Sequence, residues 1–386
     1  MSNQALLTVN AGSSSIKFSV YDVENLRELV SGNVDSLGPN RQTSLNIEEL
    51  GTGQTLREDI AANDHAGAFA DILRHANLLF GDRKVVGVGH RVVHGGISHE
   101  KPAVLDEAAL TELTELEPLA PLHQPHNLAG VRAAAKAFPG VVQIGCFDTA
   151  FHRTHPWVND TFALPRQYYD EGVRRYGFHG LSYDYISGHL GEAEPELAAG
   201  RVIICHLGNG ASMCAIRNGR SVGSTMGFSA LDGLPMGTRC GQLDPGVLLY
   251  LMDKGMDARQ IETLLYKESG LKGLSGISND MRDLEASDDP AAKQAIDYFV
   301  FRIRREIGGM SAVLGGLDGL IFCGGIGENS SHVRRKVCNG MEWLGIYIDK
   351  VSNADNAREI GTNKVRVMVI PTDEEVVIAR AVKDHL

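Results

Sequence analysis

The amino-acid sequence predicts an α/β fold in which helices pack on sheets, arranged as two related domains with a cleft between them. Short apolar runs that stop at turn residues recur along the whole chain, and segments with helical periodicity lie between them. This alternation is typical of α/β architectures. A strand–turn–strand pattern also occurs twice, at 6–20 and at 202–216. Duplication explains this repeat, but glycine turns after strands are so common that coincidence explains it about as well.

The individual elements are predicted from local spacing. Leucines three residues apart over 110–116 predict a helix that stops at Pro118. Apolar residues at i, i+3, i+4 and i+7 predict a second helix over 296–314, which Gly315 and Gly316 close. Apolar runs bounded by turn residues predict buried strands at 6–9, 16–20, 85–88, 141–144, 202–205, 321–323 and 365–370.

Composition and charge limit the class of protein. The 386 residues are enough for two or three domains of roughly 150 residues each. Glycine supplies 44 of them, about 11% against a usual ~7%, which indicates many tight turns or close backbone approaches. The 37 basic and 48 acidic residues give a net charge of −11 without a long basic run, so we expect no nucleic-acid partner.

Cysteine usage and hydropathy indicate the compartment. The six cysteines show no CxxC pair and no metal-ligand spacing, which is typical of free thiols in a reducing cytosol. The sequence begins without a signal-peptide pattern, and its apolar runs are far shorter than the ~18 residues of a membrane span. We therefore expect a cytoplasmic protein that has no membrane partner.

Glycine- and hydroxyl-rich turns after predicted strands are the candidate phosphate sites. The segment 10–17 offers backbone N–H groups, three serine hydroxyls and the Lys17 ammonium, which together can wrap phosphate oxygens. An ordinary serine-rich hairpin with a solvated lysine explains that segment equally well. Similar turns at 206–210 and 324–329 make a bound phosphate or nucleotide the favoured interpretation, although P-loop, G-x-G-x-x-G, H-E-x-x-H and G-x-S-x-G signatures are absent.

Charged residues near these turns are the catalytic candidates. Arg91 and Arg239 each lie close to a glycine, and a guanidinium matches carboxylate and phosphate oxygens in a planar fork. A weak surface ion pair is the common alternative for such an arginine, and equally for Arg282. Asp148 follows a predicted strand, at the edge where α/β ligand sites open. Glu374 opens the last helix, where a carboxylate also serves the helix dipole.

Nine motifs in one order make the sequence similar to the acetate kinase family, which includes propionate and butyrate kinases. This family belongs to the actin/sugar-kinase/Hsp70 superfamily, and the resemblance runs from Asn10 to the segment 371–375, essentially the whole chain. The motifs are VNAGSSSIKF, GHRVVHGG, PLAPLHQPHN, FDTAFH, RRYGFHG, HLGNGAS, MGTRCG, ESGLKGLSGIS and GGIGEN.

The resemblance implies two actin-like, ribonuclease H-like domains with a duplicated core around a central cleft. Residues 1–150 with the C-terminal helix 374–386 form the first domain, and 151–373 form the second, nucleotide-binding domain. It also implies a homodimer that uses ATP and ADP as cosubstrates and Mg²⁺, or Mn²⁺ in its place, as the metal. The implied reaction is reversible phosphoryl transfer from ATP to acetate, which gives acetyl phosphate.

Site residues carry over by motif. The residues that match the family's catalytic positions are Arg91, Asp148, His179 and Arg239. Those that match its carboxylate pocket are Arg91, Val93, Leu122 and Phe178, and those that match its metal site are Asn10 and Glu374. Those that match its phosphate and nucleotide contacts are Ser13, Ser15, Lys17, His206, Leu207, Gly208, Asn209, Gly210, Asp280, Met281, Arg282, Gly325, Ile326, Gly327, Glu328 and Asn329.

The residue types agree with the implied chemistry. A carboxylate substrate is already ionised at neutral pH, because its pKa is near the ~4.3 of a glutamate side chain, so the attack needs no general base. We therefore expect Asp148 to orient an arginine or metal-bound water rather than to move a proton. The reaction instead needs cationic groups that bring two anions together in line.

Two departures from the family pattern concern the substrate. Tyr183 replaces the second histidine of His-Gly-Thr-Ser-His, and Ser229-Ala230 replaces Thr-Pro. One methylene in an apolar pocket is worth only ~1–3 kcal/mol, so the sequence favours acetate but leaves propionate and butyrate open. A non-catalytic actin-like protein that binds ATP is the alternative from another class, and it would not need both Arg91 and Arg239.

Overall fold

The computed structural model describes residues 3–12, 14–38 and 42–386. Their contacts divide the chain into two compact units, Met1–Phe151 with Asp373–Leu386 and His152–Thr372. Each unit contains one sheet with helices packed against it, which confirms the predicted α/β fold.

The first unit begins with the longer sheet. Its strands are β1 (Gln4–Ala11), β2 (Ser15–Asp22), β3 (Glu28–Asp35), β4 (Thr43–Glu49), β5 (Gln54–Ile60), β6 (Lys84–Val92), β7 (Ala103–Val104) and β8 (Val142–Phe147). Its helices before the chain leaves the unit are α1 (His65–Arg74), α2 (Ala76–Phe80), α3 (Glu107–Glu115) and α4 (Gln124–Ala137), with a 3₁₀ turn at Glu117–Leu119.

The second unit follows after a 3₁₀ turn at Ala150–His152. Its strands are β9 (Arg201–Leu207), β10 (Ala211–Arg217), β11 (Arg220–Ser224), β12 (Gly319–Cys323) and β13 (Arg366–Val369). Its helices are α5 (Trp157–Asp160), α6 (Arg166–Asp170), α7 (Gly180–Ala193), α8 (Pro195–Ala198), α9 (Pro245–Asp253), α10 (Ala258–Lys267), α11 (Gly270–Ser275), α12 (Met281–Ala286), α13 (Pro290–Leu314), α14 (Gly324–Asn329), α15 (Ser331–Cys338) and α16 (Lys350–Ala354). The chain then returns to the first unit in α17 (Glu374–Asp384).

The two sheets share a five-strand core. The first sheet has the order β5-β4-β3-β2-β1-β6-β8-β7, and the second has the order β11-β10-β9-β12-β13. In both, the first strand pairs antiparallel with its hairpin partner and parallel with the strand on its other side. The strand–turn–strand repeat in the sequence therefore corresponds to the β1–β2 and β9–β10 hairpins, which occupy equivalent places in the two sheets.

Helices cover the central strands of the first sheet. Helix α4 packs on β1 and β6, and α17 packs on β1, β6 and β8. The contact with α17 is so close that a Cβ on Gly87 or Gly89 of β6 would lie 2.4 Å from Val382 or 2.3 Å from Ile378, respectively. Helices thus cover both faces of β1 and β6 and bury most of their residues. The largely apolar sequences of these strands are typical of strands in this position.

The structure corrects three predicted boundaries. The strands predicted to stop at 88 and 144 continue to Val92 and Phe147, because the following glycines leave room for packed side chains instead of turning the chain. Gly89 faces α17, and a Cβ on Gly145 would lie 2.7 Å from Leu105. The segment 324–329, predicted as an open glycine turn, is the short helix α14, which begins at Gly324 with φ +74°.

The two predicted helices are confirmed. Helix α3 ends before Pro118, as expected. Helix α13 begins after Asp289, whose side chain accepts from the N–H of Ala291, and ends at Gly315 in the left-handed conformation. In the described parts of the chain we find no helix with the length and apolar character needed to cross a membrane.

Candidate active site

Three predicted site residues lie at one edge of the first sheet. Asn10 is near the carboxyl end of β1, Arg91 is near the end of β6, and Asp148 directly follows β8. Because β1, β6 and β8 are parallel neighbours, these strand ends meet at the same edge. Ligand sites of α/β proteins open at such edges.

Arg91 and Asp148 form a two-point ion pair. Arg91 Nε donates to Asp148 Oδ1 at 3.0 Å, and Nη2 donates to Oδ2 at 2.7 Å. The third guanidinium nitrogen, Nη1, lies 3.4 Å from Glu374 Oε2 at the start of α17. Asp148 is only 2% exposed, so the carboxylate holds the guanidinium plane from inside the protein.

The charges around this pair shift two pKa values. Burial by itself would lower the pKa of Arg91, but the negative charges of Asp148 and Glu374 raise it above its ordinary value. Burial, followed by the charge of Glu374, raises the pKa of the neighbouring Glu375, and the Lys17 ammonium opposes this rise. The edge therefore holds a permanently charged guanidinium among closely spaced carboxyl groups.

The β1–β2 hairpin carries the predicted phosphate turn. Asn10 and Lys17 are directly opposite each other in the antiparallel register, so their side chains lie on the same face. The turn closes through a hydrogen bond from the Gly12 N–H to the Ser15 carbonyl at 2.8 Å. Ser15 is half-buried and Lys17 is exposed, whereas Ser13 lies outside the described residues.

Two buried amides, which the sequence analysis did not identify, hold the backbone behind this edge. The Val93 N–H donates to Asn127 Oδ1 at 2.9 Å, and Asn127 Nδ2 donates to the Ala11 carbonyl at 2.6 Å. Gln124 accepts from the His94 N–H and donates to the His94 carbonyl. Both amides lie in the motif PLAPLHQPHN. Their polar character at the start of a helix is the one feature of the sequence that could have pointed to this role.

The three predicted walls of the carboxylate pocket belong to different units. Val93 is buried directly after β6, and Leu122 is half-buried before α4, both in the first unit. Phe178 is buried in the second unit, where its carbonyl oxygen lies 3.0 Å from His152 Nε2.

Three predicted residues of the second unit converge at the β9–β10 turn. A Cβ built on Gly210 would lie 2.9 Å from Arg239 Nη2 and 3.1 Å from His179 Nε2. The His179 ring stacks on His206 with centroids 4.4 Å apart, and Arg239 Nη1 donates to the Ala230 carbonyl at 2.9 Å. An imidazole nitrogen and a guanidinium nitrogen therefore lie side by side at this turn.

His179 adopts a conformation that side chains rarely take. Its φ of +58° and ψ of +26° are left-handed, immediately before α7. Non-glycine residues in this region carry local strain of about 1–3 kcal/mol, which tends to occur at functional sites.

Glycine turns of the second unit line a cavity of about 490 Å³, a size typical of small-ligand sites. Its walls come from the turn after β9, the start of α12, and α14. The lining residues are Gly208, Asn209, Asn279, Asp280, Met281, Arg282, Glu285, Gly325, Ile326, Asn329 and Ser330. Eight of them are predicted nucleotide contacts, whereas Asn279, Glu285 and Ser330 were missed.

Polar groups around the cavity are paired with one another. Arg282 Nη2 lies 2.6 Å from Asp280 Oδ2, and the hydrogen bonds from Arg282 lower the pKa of Asp280 to about 2. Asn279 Nδ2 donates to Asn209 Oδ1 at 3.1 Å, which joins the β9–β10 turn to the segment before α12. The predicted residues His206, Leu207, Gly210, Gly327 and Glu328 lie on the same segments as the lining residues.

A fully buried arginine anchors α14, and it was also missed. Arg334 Nη1 donates to the carbonyls of Gly327 and Glu328 at 2.8 and 2.9 Å, and Nε donates to Asn353 Oδ1 at 2.9 Å. Burial lowers the pKa of Arg334. Glu328 itself accepts from the Gly324 N–H at 2.8 Å, so its carboxylate stabilises the start of its own helix.

Together, a cavity of small-ligand size and arginines oriented by neighbouring groups are features that a phosphotransferase needs. The model of the acetokinase family matches residues 5–380. The chain belongs to this family, and it is a kinase.

Individual relatives agree with this assignment. An acetate kinase from Methylocella silvestris is 55% identical over 98% of this chain and 97% of its own length. The crystal structure of Porphyromonas gingivalis acetate kinase is 37% identical with a TM-score of 0.89 and covers 99% of both chains. A propionate kinase from Francisella tularensis is 33% identical with a TM-score of 0.92 and covers 100% of both chains.

Proposed function

We propose that the protein is an acetate kinase that transfers the γ-phosphoryl group of ATP to acetate and forms acetyl phosphate and ADP, reversibly. The Arg91–Asp148 pair is the observation that carries this proposal. Asp148 fixes the plane of the Arg91 guanidinium at the sheet edge, and a guanidinium is the side-chain group that matches a carboxylate in a planar fork.

The chain's own residues supply orientation and charge. Arg91 binds the ionised carboxylate, and Asp148 orients Arg91 through both carboxylate oxygens rather than moving a proton. His179 and Arg239 donate to the oxygens of the transferring phosphoryl group, where negative charge develops. Because the nucleophile is already ionised, no residue has to act as a general base.

The nucleotide occupies the cavity of the second unit. The glycines at 208 and 325 allow close backbone approach, and Asp280–Arg282 lies at the cavity wall. Ser15 and Lys17 at the start of β2, together with Ser13, contact phosphate oxygens in this proposal.

Asn10 and Glu374 would hold the metal. Among the described residues, no group of three or more His, Cys, Asp or Glu side chains is arranged to bind a metal ion. An amide and a carboxylate oxygen nevertheless suit Mg²⁺, which usually keeps several waters and takes only one or two protein carboxylates, and Mn²⁺ accepts the same ligands. When bound, the ion supplies positive charge to the phosphate oxygens.

Acetate is the proposed substrate, and propionate is the second candidate. The observation that favours propionate is Ala230, which is smaller than the proline of the family pattern. The carbonyl of Ala230 also accepts from Arg239, so the backbone at this wall positions a proposed catalytic group.

A hydroxylamine trap for acyl phosphate tests the proposal. Purified protein with ATP and Mg²⁺ receives acetate, propionate or butyrate in parallel, and we expect the strongest signal with acetate. A stronger signal with propionate would move the substrate but keep the reaction. Nucleotide binding without a signal from any acid would favour the non-catalytic alternative. Arg57→Ala, at an exposed edge-strand position, is the matched control for Arg91→Ala, which should abolish the signal.

We also propose that the protein is a homodimer that uses α9. None of the residues of this helix is buried, even though several are apolar. The exposed fractions of Leu249, Tyr250 and Met252 are 65%, 58% and 52%. Exposed apolar patches of this kind mark interfaces, and a second copy of the chain is the proposed partner. Light scattering should detect a dimer that Leu249→Lys weakens and that Val351→Lys, at an exposed position on α16, leaves intact.

A further inference from the structure

Two neighbouring residues in the first turn of α7 are linked to the two stacked imidazoles through hydroxyl groups, one directly and one through a serine of β10. Ser182 Oγ lies 2.8 Å from His206 Nδ1. The next residue, Tyr183, places its phenol oxygen 2.5 Å from Ser212 Oγ, which in turn lies 2.8 Å from His179 Nδ1. Tyr183, Ser212 and His179 therefore form a continuous row of hydrogen-bonding groups.

The fold builds this row from three elements. Ser212 on β10 is the register partner of His206 on β9, so both side chains lie on the same face of the sheet. Tyr183 and Ser212 are completely buried, and buried hydroxyls are almost always hydrogen-bonded in native proteins. Removal of the phenol oxygen would take one hydrogen-bond partner from the buried Ser212 hydroxyl.

The chemistry of the three groups sets the direction of the hydrogen bonds. A phenol is more acidic than an aliphatic hydroxyl and is the stronger donor, which favours donation from Tyr183 to Ser212 Oγ. Ser212 has a single proton, which it then donates to His179 Nδ1. An imidazole that accepts at Nδ1 carries its own proton on Nε2.

This protonation matters because of where Nε2 lies. A Cβ on Gly210 would lie 3.1 Å from His179 Nε2 and 2.9 Å from Arg239 Nη2, so both nitrogens lie beside the same glycine. Two N–H donors this close to each other can serve the same anionic oxygen. With the proton on Nδ1, the imidazole would instead present a lone pair there and repel that oxygen.

We propose that Tyr183 is a positioning residue which, through Ser212, keeps His179 in the tautomer that donates from Nε2. This inference rests on the proposed function, because that function assigns His179 to the transferring phosphoryl group. It also provides a role for a residue at which the sequence departs from the family pattern.

Kinetics provide the first test. Tyr183→Phe should lower kcat on the order of tenfold and change the KM values for acetate and ATP less than about twofold, because the lost hydrogen bond serves the transition state. Tyr185→Phe, which removes a phenol from the same helix, is the matched control and should retain full kcat. Ser212→Ala should lose at least as much as Tyr183→Phe, and the double variant should lose no more than Ser212→Ala. Independent, multiplicative losses would overturn the proposal.

Nitrogen-15 NMR of histidine-labelled, full-length protein provides the second test. The His179 signals, assigned through His179→Gln, should report an unprotonated Nδ1 and a protonated Nε2. In Tyr183→Phe they should shift towards a mixture of tautomers. An unchanged signature would overturn the proposal even if kcat fell, since a merely structural role would leave the tautomer alone. Wild-type protein with the expected signature but without acyl phosphate formation would contradict the proposed function and not the tautomer assignment.

Discussion

The two sheets have the same five-strand core but carry different chemistry at equivalent places. In the first unit, the next-to-last pair of the opening hairpin is Asn10 and Lys17. In the second unit, the corresponding pair is His206 and Ser212. The shared topology thus brings side chains and turns together at one edge of each sheet. The residues at that edge determine which chemical group of a ligand can bind there.

The ends of the parallel neighbours differ in the same way. Beside β1, the strands β6 and β8 deliver the buried ion pair of Arg91 and Asp148. Beside β9, the strand β12 leads directly into the glycine-rich helix α14, which lines the cavity. The site of the first unit therefore consists mainly of charged side chains, whereas the site of the second is a cavity lined by glycine turns. Substitutions in the two units should affect different properties of the enzyme.

The largest expected effect concerns the charged edge of the first unit. Asp148→Asn should lower kcat about 10³-fold at every pH from 5 to 9, because Arg91 loses its two-point partner. Measurement of kcat across this range checks the prediction, with Asp59→Asn on an exposed edge strand as the control. Full recovery at any pH would instead assign a proton-transfer role to Asp148.

The next effect concerns the cavity of the second unit. Arg334→Met should destabilise the protein by about 3–5 kcal/mol, because several buried oxygen atoms lose their donors. It should also weaken ATP binding, since α14 lines the cavity, and leave the KM for acetate nearly unchanged. Calorimetric unfolding and nucleotide titration measure both, and Arg335→Met, at the next position of α15, is the control. A rise in the KM for acetate equal to that for ATP would contradict the proposal that the two units have separate roles in binding the two substrates.

Acid should act mainly on the second unit. Burial lowers the pKa of His90 in the first unit to about 4, and in the second it lowers the pKa values of His152 and His155 to about 4 and about 2. The unfolded chain, with a histidine pKa of ~6.5, binds more protons than the folded protein below that pH. The contribution of these buried histidines to stability is therefore fully present above about pH 6.5 and is lost progressively as the pH falls towards 4.

The slope of stability against pH measures this contribution. His152→Gln should flatten the decrease of the free energy of unfolding between pH 6.5 and 4, by about 1.4 kcal/mol for each pH unit that the titration of His152 covers. His385→Gln, near the exposed C-terminus, should leave the slope as in the wild type. An unaltered slope in His152→Gln would show that other groups dominate acid unfolding.

The smallest effect tests close packing on the first sheet. Gly89→Ala should destabilise by about 1–3 kcal/mol, because its Cβ would collide with Ile378 and Val382 of α17. Gly188→Ala on α7 should stabilise by about 0.5–1 kcal/mol, since no atom lies within 4 Å of the added Cβ. Chemical denaturation measures both changes, and Gly89→Ala should cost less in an Ile378→Ala background than in the wild type. A stabilisation by Gly89→Ala as large as that by Gly188→Ala would mean that the loss of backbone freedom in the unfolded chain, and not contact with α17, governs the first site.

Local spacing was enough to predict most of the elements. Apolar runs identified the central strands of both sheets, and helical periodicity identified α3 and α13. It failed at Gly89 and Gly145, where glycine continues a strand because a distant side chain fills its space. It also failed at 324–329, where Arg334 and Glu328 stabilise a short helix in a segment composed largely of glycine.

Candidate residues could be named from motifs, but their contacts could not. The sequence by itself determined the α/β class, because this depends on residue types at short spacing. Through motifs that resemble a known family, it also gave the family and the catalytic and nucleotide-binding candidates. Only the tertiary structure decided that Asp148 binds Arg91, that Asn127 binds Ala11, and that Tyr183 reaches His179 through Ser212. These contacts join residues on separate elements, and periodicity along a chain carries no information about which separate elements will pack together.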